Sequence, residues 1–174
     1  GPDDVFAVHF VDLDQFKQVN DTLGHTSGDL LLKAVAERLR PLIRDTDLIA
    51  RFGGDEFVVL QSPVKSASEA SALARRMLTA LTGTYEISGH EVVISASIGI
   101  ALAPKDGNDV DQLLRNADMA LYRAKSDNRG TWRFFKPEME VSAQARRNLE
   151  LDLRYALEND AFEVYYQPIF DLRT

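Results

Sequence analysis

Four carboxylates stand out by type and spacing: Asp12 and Asp14 after an apolar run, and Asp55 with Glu56 after a glycine pair. Hard divalent cations are held by one or two carboxylates together with substrate phosphates. Two such ions can activate an attacking oxygen and stabilise the leaving one in an in-line displacement at phosphorus. Solvated turn acids are the competing reading, since Asp favours turns and strand ends. What separates the two is whether the elements carrying these pairs lie side by side.

Val5–Val11 is apolar and β-rich and predicts a buried central strand that stops at Asp12-Leu13-Asp14. A helical pattern follows, broken near Asn20 to His25, and resumes through Leu31, Val35 and Leu39. Leu48–Phe52 and Glu56–Leu60 predict two short strands around Gly53-Gly54-Asp55, a hairpin signal because glycine reaches positive φ cheaply. Ser66 to Leu81 predicts a helix, with Ser66 and Glu69 spaced as a capping box. Tyr85–Ile87, a turn at Ser88-Gly89-His90 and Val92–Ala103 predict a second hairpin, Asp109–Ser126 a helix, and Thr131–Phe135 a strand. The order is β-α-β-β-α-β(β)-α-β, an α+β, ferredoxin-like pattern with one helix and one strand added. It implies an antiparallel sheet backed by helices on one face, with the first strand beside the Gly-Gly hairpin. Asp12 and Asp55 then face each other.

The 174 residues suffice for one domain and part of another. There are 27 acidic and 20 basic residues, a net charge of −7, which disfavours a nucleic-acid polymer as partner but allows a small anionic ligand near local cations. The absence of cysteine excludes disulfides, zinc–thiolate sites, iron–sulfur clusters and cysteine nucleophiles. No apolar run approaches the roughly 20 residues of a membrane span. Gly1-Pro2 reads as either a tag remnant or native sequence. From Pro137 the pattern changes: Glu138–Asn159 predicts an amphipathic helix, and Phe162–Pro168 a strand running on to Thr174.

Arg51-Phe-Gly-Gly-Asp-Glu-Phe57 resembles the signature of GGDEF domains, the family of bacterial diguanylate cyclases. Asp12-Leu-Asp-Gln-Phe-Lys-Gln-Val-Asn-Asp21, Gly24-His25 with Gly28-Asp29, Ser97-Ile-Gly-Ile100 and Ala120-Leu-Tyr-Arg-Ala-Lys125 resemble its other motifs, in family order. The resemblance implies a nucleotidyl cyclase or polymerase-palm fold over 1–136. It implies a domain that condenses two GTP into cyclic di-GMP as a homodimer, releasing two pyrophosphates.

Residue by residue, it implies that Asp12, the Leu13 carbonyl and Asp55 ligate two Mg²⁺ per site, with Mn²⁺ as substitute. Asp55 would also be the base for the ribose 3′-hydroxyl, with Glu56 in support and Lys17 beside the reacting phosphates. Gly53 and Gly54 would let backbone approach the nucleotide. Asn20 and Asp29 would read guanine, with His25 in the same stretch. Lys125 and Arg129, four apart and read as one helix face, would contact the terminal phosphates. The usual Gly-Arg-Asn is here Asn128-Arg129-Gly130, which leaves the local turn open. Arg44-Asp-Thr-Asp47 resembles the R-x-x-D product-inhibitory site, with Arg75 as its second arginine.

Residues 137–174 resemble a linker helix and the opening of an EAL domain, the cyclic di-GMP phosphodiesterase, cut before any Glu-Ala-Leu motif. The helix and turn that usually precede the first strand are also missing, so the resemblance implies a fragment of a GGDEF–EAL signalling protein acting in the cytoplasm. A catalytically silent GTP-binding module that controls an attached phosphodiesterase is the alternative.

Overall fold

The computed structural model describes residues 5–168. It divides into two units, Gly1–Glu140 and Val141–Thr174.

In the first unit the order is β1 (Phe6–Asp14), α1 (Phe16–Leu23), α2 (His25–Leu39), a 3₁₀ turn (Arg40–Leu42), β2 (Leu48–Gly53), β3 (Glu56–Gln61), α3 (Ala67–Leu81), β4 (Gly83–Ile87), β5 (His90–Ala103), α4 (Val110–Asp127) and β6 (Trp132–Phe134). The sheet runs β2-β3-β1-β5-β4, with β6 also on β5. The first strand does lie beside the hairpin strand, in the α+β arrangement expected.

Two expectations are corrected. Only β2, β3, β1, β5 and β4 are mutually antiparallel; β6 pairs β5 in parallel, so the sheet is mixed. A parallel pair needs a crossover connection, and α4 supplies it. Helices therefore cover both faces. Ala7, Val11 and Leu13 of β1 pack with α1, α2 and α3, whereas Val8 and Phe10 pack with Leu113, Ala117, Ala120 and Leu121 of α4. β1 itself ends at Asp14, within the expected Asp12-Leu13-Asp14 stretch, and pairs with β5 as far as Asp14↔Ser95, where the Ser95 hydroxyl donates to its carboxylate.

Caps fix the helix starts. The Ser66 hydroxyl accepts from the Glu69 N–H at 3.4 Å, and Asp109 accepts from the Gln112 N–H at 2.8 Å. Glu69 does not close the expected box on Ser66; its carboxylate accepts from the Lys65 N–H at 2.8 Å. The break between α1 and α2 falls at Gly24, where φ is +84°.

α5 (Pro137–Glu158) begins in the first unit and ends in the second. Its apolar stripe, Leu149, Leu153 and Leu157, is exposed. The strand expected over Phe162–Pro168 does not form: residues 161–168 carry no regular structure. An isolated strand has no neighbour to take its backbone hydrogen bonds. Its continuation to Thr174 lies outside the described residues. Among the described residues no helix is long and apolar enough to cross a membrane.

Candidate functional site

The β1–β3 register sets Asp12 opposite Glu56, and the Leu13 N–H donates to the Asp55 carbonyl at 3.4 Å. The strand end and the hairpin turn thus meet, bringing Asp12, Leu13, Asp55 and Glu56 together. Gly54 turns the hairpin at φ +49°, and a side chain added at Gly53 or Gly54 would enter open space. The Arg51 Nε donates to the Gly54 carbonyl at 3.0 Å and fastens the turn.

The carboxylates here are electrostatically strained. Burial pushes Asp12 above the usual carboxylate range, with Asp55 and Asp14 adding like charge. Opposing them is Lys125 of α4, whose Nζ lies 2.7 Å from Asp12 Oδ2. Glu56 is also raised, first by burial and then by Asp12, Asp118 and Asp55. Among the described residues no three or more His, Cys, Asp or Glu are grouped so that they could hold a metal ion by themselves. That donor set fits a cation that keeps water and phosphate ligands, and not one that needs an all-protein cage. The ammonium on Asp12 shows that the position accepts positive charge. The residues present therefore fit Mg²⁺ or Mn²⁺.

A second cluster lies at the α1–α2 joint. The Asn20 Oδ1 is buried without a hydrogen-bond partner among the described residues. A buried acceptor left unmade is costly, so the atom invites a donor. Gly28 makes its room: a Cβ there would collide with Asn20 Oδ1. Asp29, one residue on, is exposed and lines a cleft of about 530 Å³ with Lys33, Arg40 and Arg51. His25 is exposed at the start of α2 and Lys17 is exposed on α1.

Arg129 is not where the spacing put it. α4 ends at Asp127, and Arg129 follows in a turn with φ +33°, so it shares no helix face with Lys125. The helix is capped at Asn128, and Gly130, at φ +60°, continues the turn beyond Arg129.

The third cluster is separate. Asp47 accepts from the Arg44 N–H at 3.1 Å and the Ser62 N–H at 3.0 Å, while the Arg44 guanidinium pairs with Glu69 at 2.9 Å. Arg75 is exposed on α3. Its neighbour Arg76 is the one that reaches towards this segment, donating to the Leu42 carbonyl at 3.2 Å.

Sequence reasoning passed over Asp118 and Arg76, and read Glu69 only as part of a helix cap. Asp118 precedes Lys125 by seven residues, two helical turns, which was a readable signal. Glu69 and Arg76 answer Arg44 and Leu42 across long sequence separations that no local pattern reveals.

The chain thus folds as an α+β sheet with paired carboxylates on a hairpin beside its central strand, and comparison with known proteins gives its family. The model of the "Diguanylate cyclase, GGDEF domain" family matches residues 2–131, and the chain belongs to that family. It is 50% identical over 163 residues to the "Bifunctional diguanylate cyclase/cyclic di-GMP phosphodiesterase MucR" of Pseudomonas aeruginosa, covering 94% of this chain and 24% of MucR. It is 43% identical over 166 residues to the "Cyclic di-GMP phosphodiesterase NbdA" of the same organism, covering 95% of this chain and 21% of NbdA. The chain thus spans under a quarter of either relative's length. A solved GGDEF-only structure of TpbB (YfiN) from P. aeruginosa superposes with a TM-score of 0.78 at 40% identity, covering 81% of this chain and 83% of that one.

Proposed function

We propose that the domain condenses two GTP into cyclic di-GMP, with release of two pyrophosphates. Two copies face each other, each holding one GTP whose ribose 3′-oxygen bonds to the other's α-phosphorus. The observation that carries this reading is the apposition of Asp12 with Asp55 and Glu56. It supports the reading of a proton acceptor and a cation site at one hairpin, whose glycines leave open space.

Asn20 and Asp29 hold guanine: a carboxylate accepts from N1–H and the exocyclic amine together, and the orphaned Asn20 Oδ1 adds an acceptor. His25 lies in the same stretch of chain, at the start of α2. Asp55 takes the 3′-hydroxyl proton, with Glu56 reinforcing the negative field. Lys17, Lys125 and Arg129 draw the phosphates into line, the step in which positioning and electrostatics do most of the catalysis. Asp12, the Leu13 carbonyl and Asp55 would hold Mg²⁺ or Mn²⁺, which when bound neutralises phosphate charge. Lys125 then exchanges its Asp12 partner for phosphate. Arg44, Asp47 and Arg75 take the product and give feedback inhibition. Residues 1–136 form the cyclase domain and 137–174 link it to an EAL domain in a cytoplasmic part of the full protein.

The test is to incubate the full-length dimer with Mg²⁺ and GTP and resolve the nucleotides chromatographically. Wild type accumulates cyclic di-GMP, or pGpG if an attached hydrolase acts, and Asp55→Asn does neither. No product from a verified dimer sinks the reading. A second reading is a silent GTP-binding module that controls an attached phosphodiesterase. It is favoured by the 43% identity to a relative named as a phosphodiesterase. Under it, GTP stimulates hydrolysis of cyclic di-GMP and Asp55→Asn leaves the stimulation in place.

A further inference from the structure

Asp14 lies two residues from Asp12 on the same face of β1, yet its carboxylate is engaged differently. It is 4% exposed. Its Oδ2 accepts from the Ser95 hydroxyl at 2.7 Å and from the Gly130 N–H at 3.1 Å. The Ser97 hydroxyl donates to Oδ1 at 2.9 Å and reaches Oδ2 at 3.2 Å. Two of these donors are side chains of β5, the strand paired with β1. The third is the backbone of the turn after α4.

That turn is conformationally costly. Arg129 sits at φ +33°, a region L side chains rarely adopt, and Gly130 follows at φ +60°. Such backbone persists only where its surroundings hold it. A charge-assisted bond from a buried carboxylate to the Gly130 N–H is a strong hold, and the two serines fix the carboxylate that makes it. The turn is thereby tied to the end of β1, beside Asp12.

We propose that Asp14 is a positioning residue: through Gly130 it fixes the turn that presents Arg129 to the phosphate end of a bound nucleoside triphosphate. The inference rests on the phosphate role given to Arg129 above. It also accounts for the Asn128-Arg129-Gly130 order, since an αL glycine after the arginine leaves its N–H aimed at Asp14.

The test measures binding to the whole chain by calorimetry, with Mg²⁺, using a non-hydrolysable GTP analogue and GMP as probes. Arg129→Ala should weaken the triphosphate about tenfold, the scale of a lost charged hydrogen bond, and leave GMP unchanged. Asp14→Asn should do the same by a similar factor, and the double variant should lose no more than either alone. Equal weakening of both probes by Asp14→Asn, or full additivity with Arg129→Ala, makes Asp14 a plain fold anchor and overturns the proposal. If Asp14→Asn does not fold, Ser95→Ala/Ser97→Ala keeps the carboxylate but removes its anchors. It should show the same triphosphate-selective loss; unchanged binding would again overturn the positioning role. Unchanged triphosphate binding in Arg129→Ala would refute the phosphate role itself and the inference with it. A loss in Arg129→Ala without one in Asp14→Asn would refute positioning alone.

Discussion

Gly28→Ala is the substitution whose consequences the structure states most fully. Gly28 is buried in α2, and an ideal Cβ there would overlap Asn20 Oδ1 and stand 3.2 Å from Phe16 Cζ. Phe16 is itself buried, at 7% exposure, and has little freedom to yield. Asn20 is only half-buried, so its amide is the group that rotates away. Overpacking costs roughly 1–3 kcal/mol, and alanine returns about 1 kcal/mol in a helix relative to glycine. The net destabilisation should therefore be roughly 0–2 kcal/mol, a modest shift in a thermal melt. Nucleotide binding should suffer more. If Asn20 meets guanine, displacing it removes a hydrogen bond in a desolvated pocket, about a tenfold loss in GTP affinity or more. Calorimetric titration of GTP against wild type, Gly28→Ala and Asn20→Ala checks this. The two variants should match, and combining them should add nothing. Wild-type affinity in Gly28→Ala, alongside a loss in Asn20→Ala, would refute the steric coupling of the two positions.

Three further outcomes follow from the geometry. Lys125→Met leaves the buried Asp12 carboxylate unpaired and should lower stability by roughly 1–2 kcal/mol; added Mg²⁺ should recover part of the melting shift. No recovery would separate Asp12 from cation binding. His9 is buried on β1 with its pKa lowered to about 4, chiefly by burial, against an ordinary 6.5. The unfolded chain then binds a proton between pH 6.5 and 4 that the folded chain refuses, so stability falls on acidification across that window, by roughly 3 kcal/mol in all. His9→Gln should flatten that slope in urea melts at each pH, and an unchanged slope would refute the assignment. Arg44→Ala should relieve product inhibition without altering the melt. Asp47→Ala is the poorer probe, because its two backbone hydrogen bonds would be lost as well.

Local pattern reads what local forces decide. The Gly53-Gly54 hairpin, the Ser66 cap and the break at Gly24 were legible because turn chemistry and capping act over a few residues. The continuous apolar run of β1 was legible too, as a buried strand. What was not legible depended on partners far along the chain or lacking altogether. Phe162–Pro168 has strand composition but, within the described residues, no sheet to complete it. Arg129 has helical spacing from Lys125, but the helix ends at Asp127 and Arg129 itself turns at positive φ.

The contrast between Asp12 and Asp14 shows where the limit lies. Both sit at the end of one strand, two apart, on the face towards α4, and nothing local distinguishes them. The fate of Asp14 is set by residues 81 to 116 positions away, and that of Asp12 chiefly by Asp55 on the hairpin and Lys125 on α4. Asp14 meets two hydroxyls and an amide, which satisfy its charge by hydrogen bonding and tie it into the framework. Asp12 meets like charges and one lysine ammonium, on a side chain still a third exposed. A carboxylate paired with a cation on a flexible, partly exposed stem exchanges that partner at low cost, whereas one held by three fixed donors does not. Identical side chains thus separate into exchangeable and structural roles through the donors that tertiary contacts bring.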